Sequence, residues 1–310
     1  ETKPAWDAFA EAGFLNAHWD ADEGGLQLPQ VVHAAAVTWF NAANVATTAY
    51  SWLTVGAANL LRSFGTGELK ARFLAPMGDG RCAGTMALTE PSQGSALGDI
   101  TTYAQPQTDG TYRLFGQKMF ISGGDQSLTG NIVHMVLARI KGAPAGVKGI
   151  SLFLVPKVLV NADGTPGERN DVALAGLLHK MGWRNTTSTV LSLGEKGGAV
   201  GYLLGEPGKG QRILRLELDR FLDARPGAGQ VEARLLRIGE RKPRGGRIRV
   251  GRDILLGDRE GLFLVVLDYG HDRLQAQRIR VVRRELQRAV DVGRCVVDAC
   301  RRDRNCRGGG

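Results

Sequence analysis

The sequence predicts an α+β multidomain protein. It has an α-helical domain over residues 1–80, a β-domain over 81–205, and an aberrant basic segment over 206–310. Three observations carry this. From Val31 to Phe64 the chain is almost free of charge and too long for a strand, so it reads as buried helix. At Arg81 the apolar period changes to short runs divided by Gly- and Pro-rich turns, the pattern of strands. After Gly210 both patterns dissolve into arginine.

Residues 4–14 read as a short helix with Trp6, Phe9 and Phe14 on its apolar side. Asp20-Ala21-Asp22-Glu23-Gly24-Gly25 is a polar glycine loop, closed by Pro29. Residues 31–64 form two packed helices, with a break near Thr47-Thr48 or Gly56. Thr66-Gly67-Glu68 starts a further amphipathic helix, Leu69 to Pro76, with Lys70 and Arg72 outward and Phe73 and Leu74 inward. Residues 82–88 are the first strand. Thr101–Ala104 and Thr111–Phe115 flank Asp109-Gly110, a hairpin signal. Lys118–Ser122, Ile132–Ile140, Ile150–Val155, Val172–Ala175 and Ser188–Leu193 follow as strands. Many short strands at this spacing indicate a sandwich or a small barrel rather than a βαβ sheet.

Charge divides the chain in the same place. Residues 1–210 hold 16 Lys+Arg against 17 Asp+Glu, and residues 211–310 hold 24 against 14. The last hundred residues contain 23 of the 30 arginines and no Ser, Thr, Met or Trp. Such an absence is far from ordinary domain composition. Cys82, Cys295, Cys300 and Cys306 do not make a secreted disulfide framework, and the last three lack a fourth ligand at metal spacing, so no metal is expected. No run of about 18 apolar residues marks a membrane span. Glu1 in place of Met reads as a fragment or a processed start. The expected location is cytoplasmic.

The chemistry-bearing stretch is 81–124. Met86-Ala87-Leu88-Thr89-Glu90-Pro91 with Gly94-Ser95 is an apolar strand ending in a hydroxyl, an acid, a proline and a Gly-Ser loop. Gly116-Gln117-Lys118-Met119-Phe120-Ile121-Ser122-Gly123-Gly124 ends in an aromatic, a serine and two glycines. Side by side, these ends offer hydroxyls and free backbone donors to a planar heterocycle and its phosphates. Taken alone, each is also an ordinary strand end. No Gly-x-Gly-x-x-Gly occurs, Gly208-Lys209-Gly210 is not a P-loop, and no Gly-x-Ser-x-Gly elbow exists. His134 and His179 read as structural groups, without a second ligand at metal spacing.

The order of motifs is more specific than any one of them. Thr89-Glu90-Pro91-x-x-Gly94-Ser95 is followed by Gly116-Gln117-Lys118-x-Phe120-Ile121-Ser122 and by Leu137-Ala138-Arg139. Next come Gly149-Ile150-Ser151-Leu152-Phe153-Leu154-Val155-Pro156 and His179-Lys180-Met181-Gly182. Residues 1–210 thereby resemble the acyl-CoA dehydrogenase family. Gly124-Asp125-Gln126-Ser127-Leu128-Thr129-Gly130-Asn131-Ile132-Val133-His134 resembles its subgroup containing 3-methylmercaptopropionyl-CoA dehydrogenases. The resemblance implies an N-terminal helical domain, a middle antiparallel β-barrel, a C-terminal helical bundle, and FAD between barrel and bundle. It implies α,β-dehydrogenation of an acyl-CoA thioester in fatty acid metabolism, with hydride transfer to flavin N5. An electron-transfer flavoprotein is the implied acceptor and a homo-oligomer the implied assembly. By the same resemblance Met86, Leu88 and Thr89 line the flavin, Phe120 packs on its ring and Ser122 sits near N5. Gly94 and Ser95 lie at the phosphate or acyl-CoA side, and Arg184 lies near the thioester or CoA. Ala96 departs from the family's common Asp. Asp20–Gly25 is either a pocket-closing loop or a helix connector.

The bundle that the resemblance implies is not legible after Gly210, nor is its catalytic glutamate, so the catalytic residue stays unassigned. Three readings of the tail stand: an out-of-frame translation of a GC-rich gene from near Gln211, a basic arm that binds nucleic acid through phosphates, or a diverged bundle. The first is expected, with dehydrogenase activity impaired for want of the base. The few aromatics, Phe221, Phe263 and Tyr269, weaken base stacking and with it the nucleic-acid reading. Arginines at 241, 244, 247, 249 and 252 leave no apolar face, so residues 211–250 are expected to make no packed core.

Overall fold

The computed structural model describes residues 2–214 except 162. The readings of the Arg-rich tail from residue 215, and Cys295, Cys300 and Cys306, lie outside the described residues.

Helix α1 (Thr2–Glu11) buries Trp6 and Phe9, and the Trp6 indole donates to Gly80 O at 3.0 Å. Phe9, Phe14 and Phe40 form an aromatic cluster with centroids 4.8–5.5 Å apart. Helix α2 (Gln30–Phe64) is interrupted at Asn44, whose φ of −158° and ψ of 88° are not helical. The break thus falls near Thr47-Thr48, three residues before it, rather than at Gly56. Asn44 Oδ1 accepts from Thr47 N at 3.1 Å and caps the second segment. Thr48 stays inside the helix by returning its hydroxyl to Asn44 O, at 2.9 Å. Helix α3 (Gly67–Gly78) is capped by Thr66, which accepts from Leu69 N. It continues two residues past the expected end at Pro76. Arg72 corrects an expectation: it is turned in rather than out. Its guanidinium donates to Val160 O and to Tyr202 Oη, and lies 5.0 Å from the Tyr202 ring centroid. It pins α3 to the β-domain.

Ten strands follow: β1 (Cys82–Ala87), β2 (Tyr103–Pro106), β3 (Tyr112–Ser122), β4 (Asn131–Ile140), β5 (Ile150–Pro156), β6 (Val158–Val160), β7 (Pro166–Arg169), β8 (Val172–Leu177), β9 (Ser188–Leu193) and β10 (Ala199–Leu204). The Asp109-Gly110 hairpin forms as expected, pairing β2 with β3. Strand β2 also pairs with β4, and the ladder β4-β5-β10-β3 returns to β2, so these five strands close a small barrel. Strands β9 and β8 extend it beyond β3, and β1 extends it beyond β4. The barrel is not wholly antiparallel, because β1 and β2 both run parallel to β4. The connection from β1 to β4 carries the β2–β3 hairpin, and so long a crossover permits parallel pairing.

Alternation along the strands splits the core in two. Val133, Met135, Leu137, Leu152 and Leu154 pack against Leu60, Leu61, Phe73 and Met77 of the helices. Val136, Ala138, Phe153 and Val155 fill the barrel with Leu114, Ile121 and Leu191. A strand buried on both faces reads as a continuous apolar run, as β5 does. Strand β10 escaped the sequence reading because Gly201 interrupts it. That glycine is a packing requirement, since a Cβ there would meet Leu114 Cδ1 at 2.5 Å. Residues 210–214 are helical, and Ile213 is buried in the core shared with the helices. Ile213 lies within the stretch 211–250 for which no packed core was expected, and the rest of that stretch from 215 lies outside the described residues.

Candidate functional site

The two strand ends singled out in the sequence meet. Met119 N donates to Thr89 O at 2.9 Å, joining the end of β1 to β3. Just there β3 changes register against β9, between Lys118 and Ile121. The bulge gives Phe120 a φ of +60° and leaves its ring 62% exposed. An L-residue with a large side chain rarely takes that conformation, and strain of about 1–3 kcal/mol is concentrated where structure over-determines it.

Behind the bulge lies a buried ion pair. Lys118 Nζ is 3.0 Å from Glu90 Oε1, with both side chains almost wholly inaccessible. Nζ also donates to Leu88 O at 3.1 Å. Glu90 Oε2 accepts from Thr101 N and Oγ1 at 2.7 and 2.8 Å, and Oε1 accepts from Thr102 N at 2.9 Å. Burial pushes the Glu90 carboxyl upward. The Lys118 charge and the threonine donors outweigh it and hold the group down at about 2. Burial lowers Lys118 to about 8 against the pull of Glu90. At neutral pH both stay charged.

The predicted residues are distributed as follows. Leu88, Thr89, Phe120 and Ser122 come together at the joined strand ends, with Thr89 and Ser122 half-buried. Met86 lies beside α2, its Cε 3.5 Å from the Cβ position of Gly56. Gly94 and Ser95 are exposed on the turn after the Glu90–Gln93 bridge. Arg184 is exposed, with Nε donating to Lys180 O at 3.2 Å. Its loop is anchored next to Ser122: Gly123 N donates to Thr187 O at 2.9 Å, and Tyr50 Oη to Asn185 O at 2.8 Å. On the same loop Trp183, also at positive φ, stands edge-on to Trp52 of α2 at 6.2 Å. Asp20–Gly25 is tied to α2 through Arg62, which pairs with Glu23 and Asp20. His134 is wholly buried, with Nδ1 2.7 Å from Thr85 Oγ1. Burial, and next the nearby Lys157 charge, lower it to about 4.

Sequence reading gave no role to Glu90, Lys118, Thr101, Thr102, Trp52 or Trp183. A lysine within the otherwise apolar end of β3 was the available signal, since such a charge enters a core only with a partner.

The resulting wall has a definite chemistry. Among the described residues no group hydrogen-bonds the Thr89 or Ser122 hydroxyl, and none accepts from Thr89 N–H. The only carboxylate from Met86 to Ser95 is Glu90, which faces inward. Hydroxyls, a free peptide donor and an exposed aromatic fit a planar heterocycle with hydrogen-bond acceptors on its edge. The fold is thus a helical domain packed on a closed β-barrel, with these groups gathered at its joined strand ends.

Residues 1–81 match the acyl-CoA dehydrogenase N-terminal domain and residues 85–193 its middle domain. The chain belongs to the acyl-CoA dehydrogenase family. It is 42% identical over 212 residues to a 3-methylmercaptopropionyl-CoA dehydrogenase of Ruegeria pomeroyi, covering 68% of this chain and 36% of that protein. It is 31% identical over 309 residues to a butyryl-CoA dehydrogenase of Syntrophomonas wolfei, covering 96% of this chain and 47% of that protein. The chain spans between a third and a half of the length of these relatives. An acyl-CoA dehydrogenase of Bacillus anthracis complexed with FAD superposes with a TM-score of 0.58 at 26% identity, over 72% of this chain and 35% of that one.

Proposed function

We propose that residues 2–214 form the barrel-side wall of an FAD site in an enzyme that dehydrogenates acyl-CoA thioesters. The observation that carries this reading is the meeting of Leu88-Thr89 with the exposed Phe120 bulge, Glu90 being held in its buried pair with Lys118. FAD, when bound, supplies the hydride acceptor. Thr89 and Ser122 would hold its ring by hydrogen bonds, Phe120 would pack on it, and Met86 and Leu88 would exclude water beside α2. Gly94 and Ser95 lie on the turn that would carry phosphate or the CoA end, and Arg184 would add positive charge near the thioester. Glu90 is not the base that removes the α-proton, because Lys118 and two threonines hold it behind the wall. That base comes from outside residues 86–95. An electron-transfer flavoprotein is the proposed acceptor.

The test is an FAD titration of the purified chain, followed by flavin absorbance and tryptophan quenching. Binding is expected, and Thr89→Val with Ser122→Ala should weaken it about tenfold for each lost hydrogen bond. A folded chain that binds no FAD overturns the proposal.

A further inference from the structure

The backbone around the wall can be accounted for group by group. Thr89 O accepts from Met119 N, and Glu90 exchanges both its backbone bonds with Gln93. Leu88 O accepts from the Lys118 ammonium at 3.1 Å. Thr89 N–H has no acceptor among the described residues. Leu88 C=O and Thr89 N–H belong to one peptide group. In a planar trans peptide they point opposite ways, so the ammonium behind the wall and the free donor in front are joined by a single polarisable unit. A charged donor on a carbonyl draws electron density from the peptide nitrogen and strengthens the N–H as a donor.

We propose that Lys118 is a positioning residue that acts through the Leu88–Thr89 peptide to set the donor strength of the wall. This rests on the FAD reading above and extends it to control of the cofactor's potential. Two-electron reduction places extra negative charge on the pyrimidine edge of the ring, so a stronger donor there favours the reduced form. Glu90 tempers the effect, because its carboxylate sits 3.0 Å from the same ammonium. Its three threonine contacts in turn fix where the ammonium stands. The low-dielectric surroundings of the pair keep the field from being screened.

The experiment compares wild type with Lys118→Met/Glu90→Gln, which removes both charges together, and with Lys118→Arg, which keeps both. Two quantities are read: the ratio of affinities for reduced and oxidised FAD, and the Thr89 amide proton shift in FAD-free protein. In the doubly neutral variant the affinity ratio should fall about tenfold, which is ~30 mV for a two-electron couple. The amide proton should move upfield. Lys118→Arg should restore both. A purely structural role would lower thermal stability and leave the ratio untouched, and that result, in folded protein with FAD bound, overturns the proposal. If the methionine variant does not fold, Lys118→Gln/Glu90→Gln carries the same expectation, since it keeps a neutral donor for Leu88 O. Wild type that binds no FAD, yet shows the amide shift, would remove the flavin reading and leave the polarised peptide standing.

Discussion

The buried pair makes a quantitative prediction about acid. Glu90 titrates from the ordinary 4.5 in the unfolded chain to about 2 in the folded one. A carboxyl lowered on folding adds stability that is fully present above pH 4.5. It is lost as the pH falls toward 2, because the unfolded chain takes up the proton first. The gap is worth about 3 kcal/mol at ~1.4 kcal/mol per pH unit. Lys118, lowered only to about 8, remains protonated throughout this window and adds nothing to the slope. In Glu90→Gln the side chain keeps its size but leaves Lys118 without its charge partner. The variant should therefore be less stable at pH 6 by a similar amount, about 3 kcal/mol. As the pH falls through 4.5 wild type loses what the variant never had, so the two should converge near pH 2. Urea unfolding followed by the fluorescence of buried Trp6 and Trp19 measures this at each pH. Other carboxylates cancel in the difference. A gap that stays constant from pH 6 to pH 3 would refute the assignment of the acid limb to Glu90.

Phe120→Gly relieves the positive φ and removes the exposed ring, so thermal stability should hold or rise while FAD affinity falls. Loss of both would show the ring to be structural. Arg72→Ala leaves Val160 O and Tyr202 Oη without their donor and strips the cation from the Tyr202 ring. It should cost about 2–4 kcal/mol in urea unfolding, and a loss under 0.5 kcal/mol would refute its role as a bolt. His134 is lowered from 6.5 to about 4, so its contribution is complete above pH 6.5 and lost as the pH falls toward 4. Against His134→Gln, wild type should lose about 3 kcal/mol more between pH 7 and pH 4, and parallel curves would exclude it.

Much of this fold was legible because its elements are locally consistent. The Asp109-Gly110 turn, the almost charge-free stretch 31–64 and the apolar runs of β4 and β5 each allow one structure. What escaped depends on partners distant in sequence. Arg72 sits on the outward-reading side of a helical pattern, and only the arrival of Val160 and Tyr202 draws it inward. Gly201 reads as a break in a strand until Leu114 occupies the space its side chain would need. The same holds at the site. Thr89, Phe120 and Ser122 stand in recognisable motifs, whereas the link between Glu90 and Lys118 spans 28 residues and is formed only by the barrel.

That link is better understood as a device for register than as a source of stability. Burial opposes both charges, and each answers the other. The net of such a pair is close to zero, and apolar replacements are often neutral or better. Geometry, however, is fixed tightly: Glu90 accepts only if Thr101, Thr102 and Lys118 all stand in place. Strand β3 needs this, because its pairing with β9 shifts between Lys118 and Ile121. A slip of one residue there would exchange faces, sending Phe120 into the barrel and Lys118 out. An apolar residue at 118 would tolerate neighbouring registers, whereas a lysine that must find Glu90 admits one. The charged pair thus favours the register in which Phe120 stands exposed at positive φ.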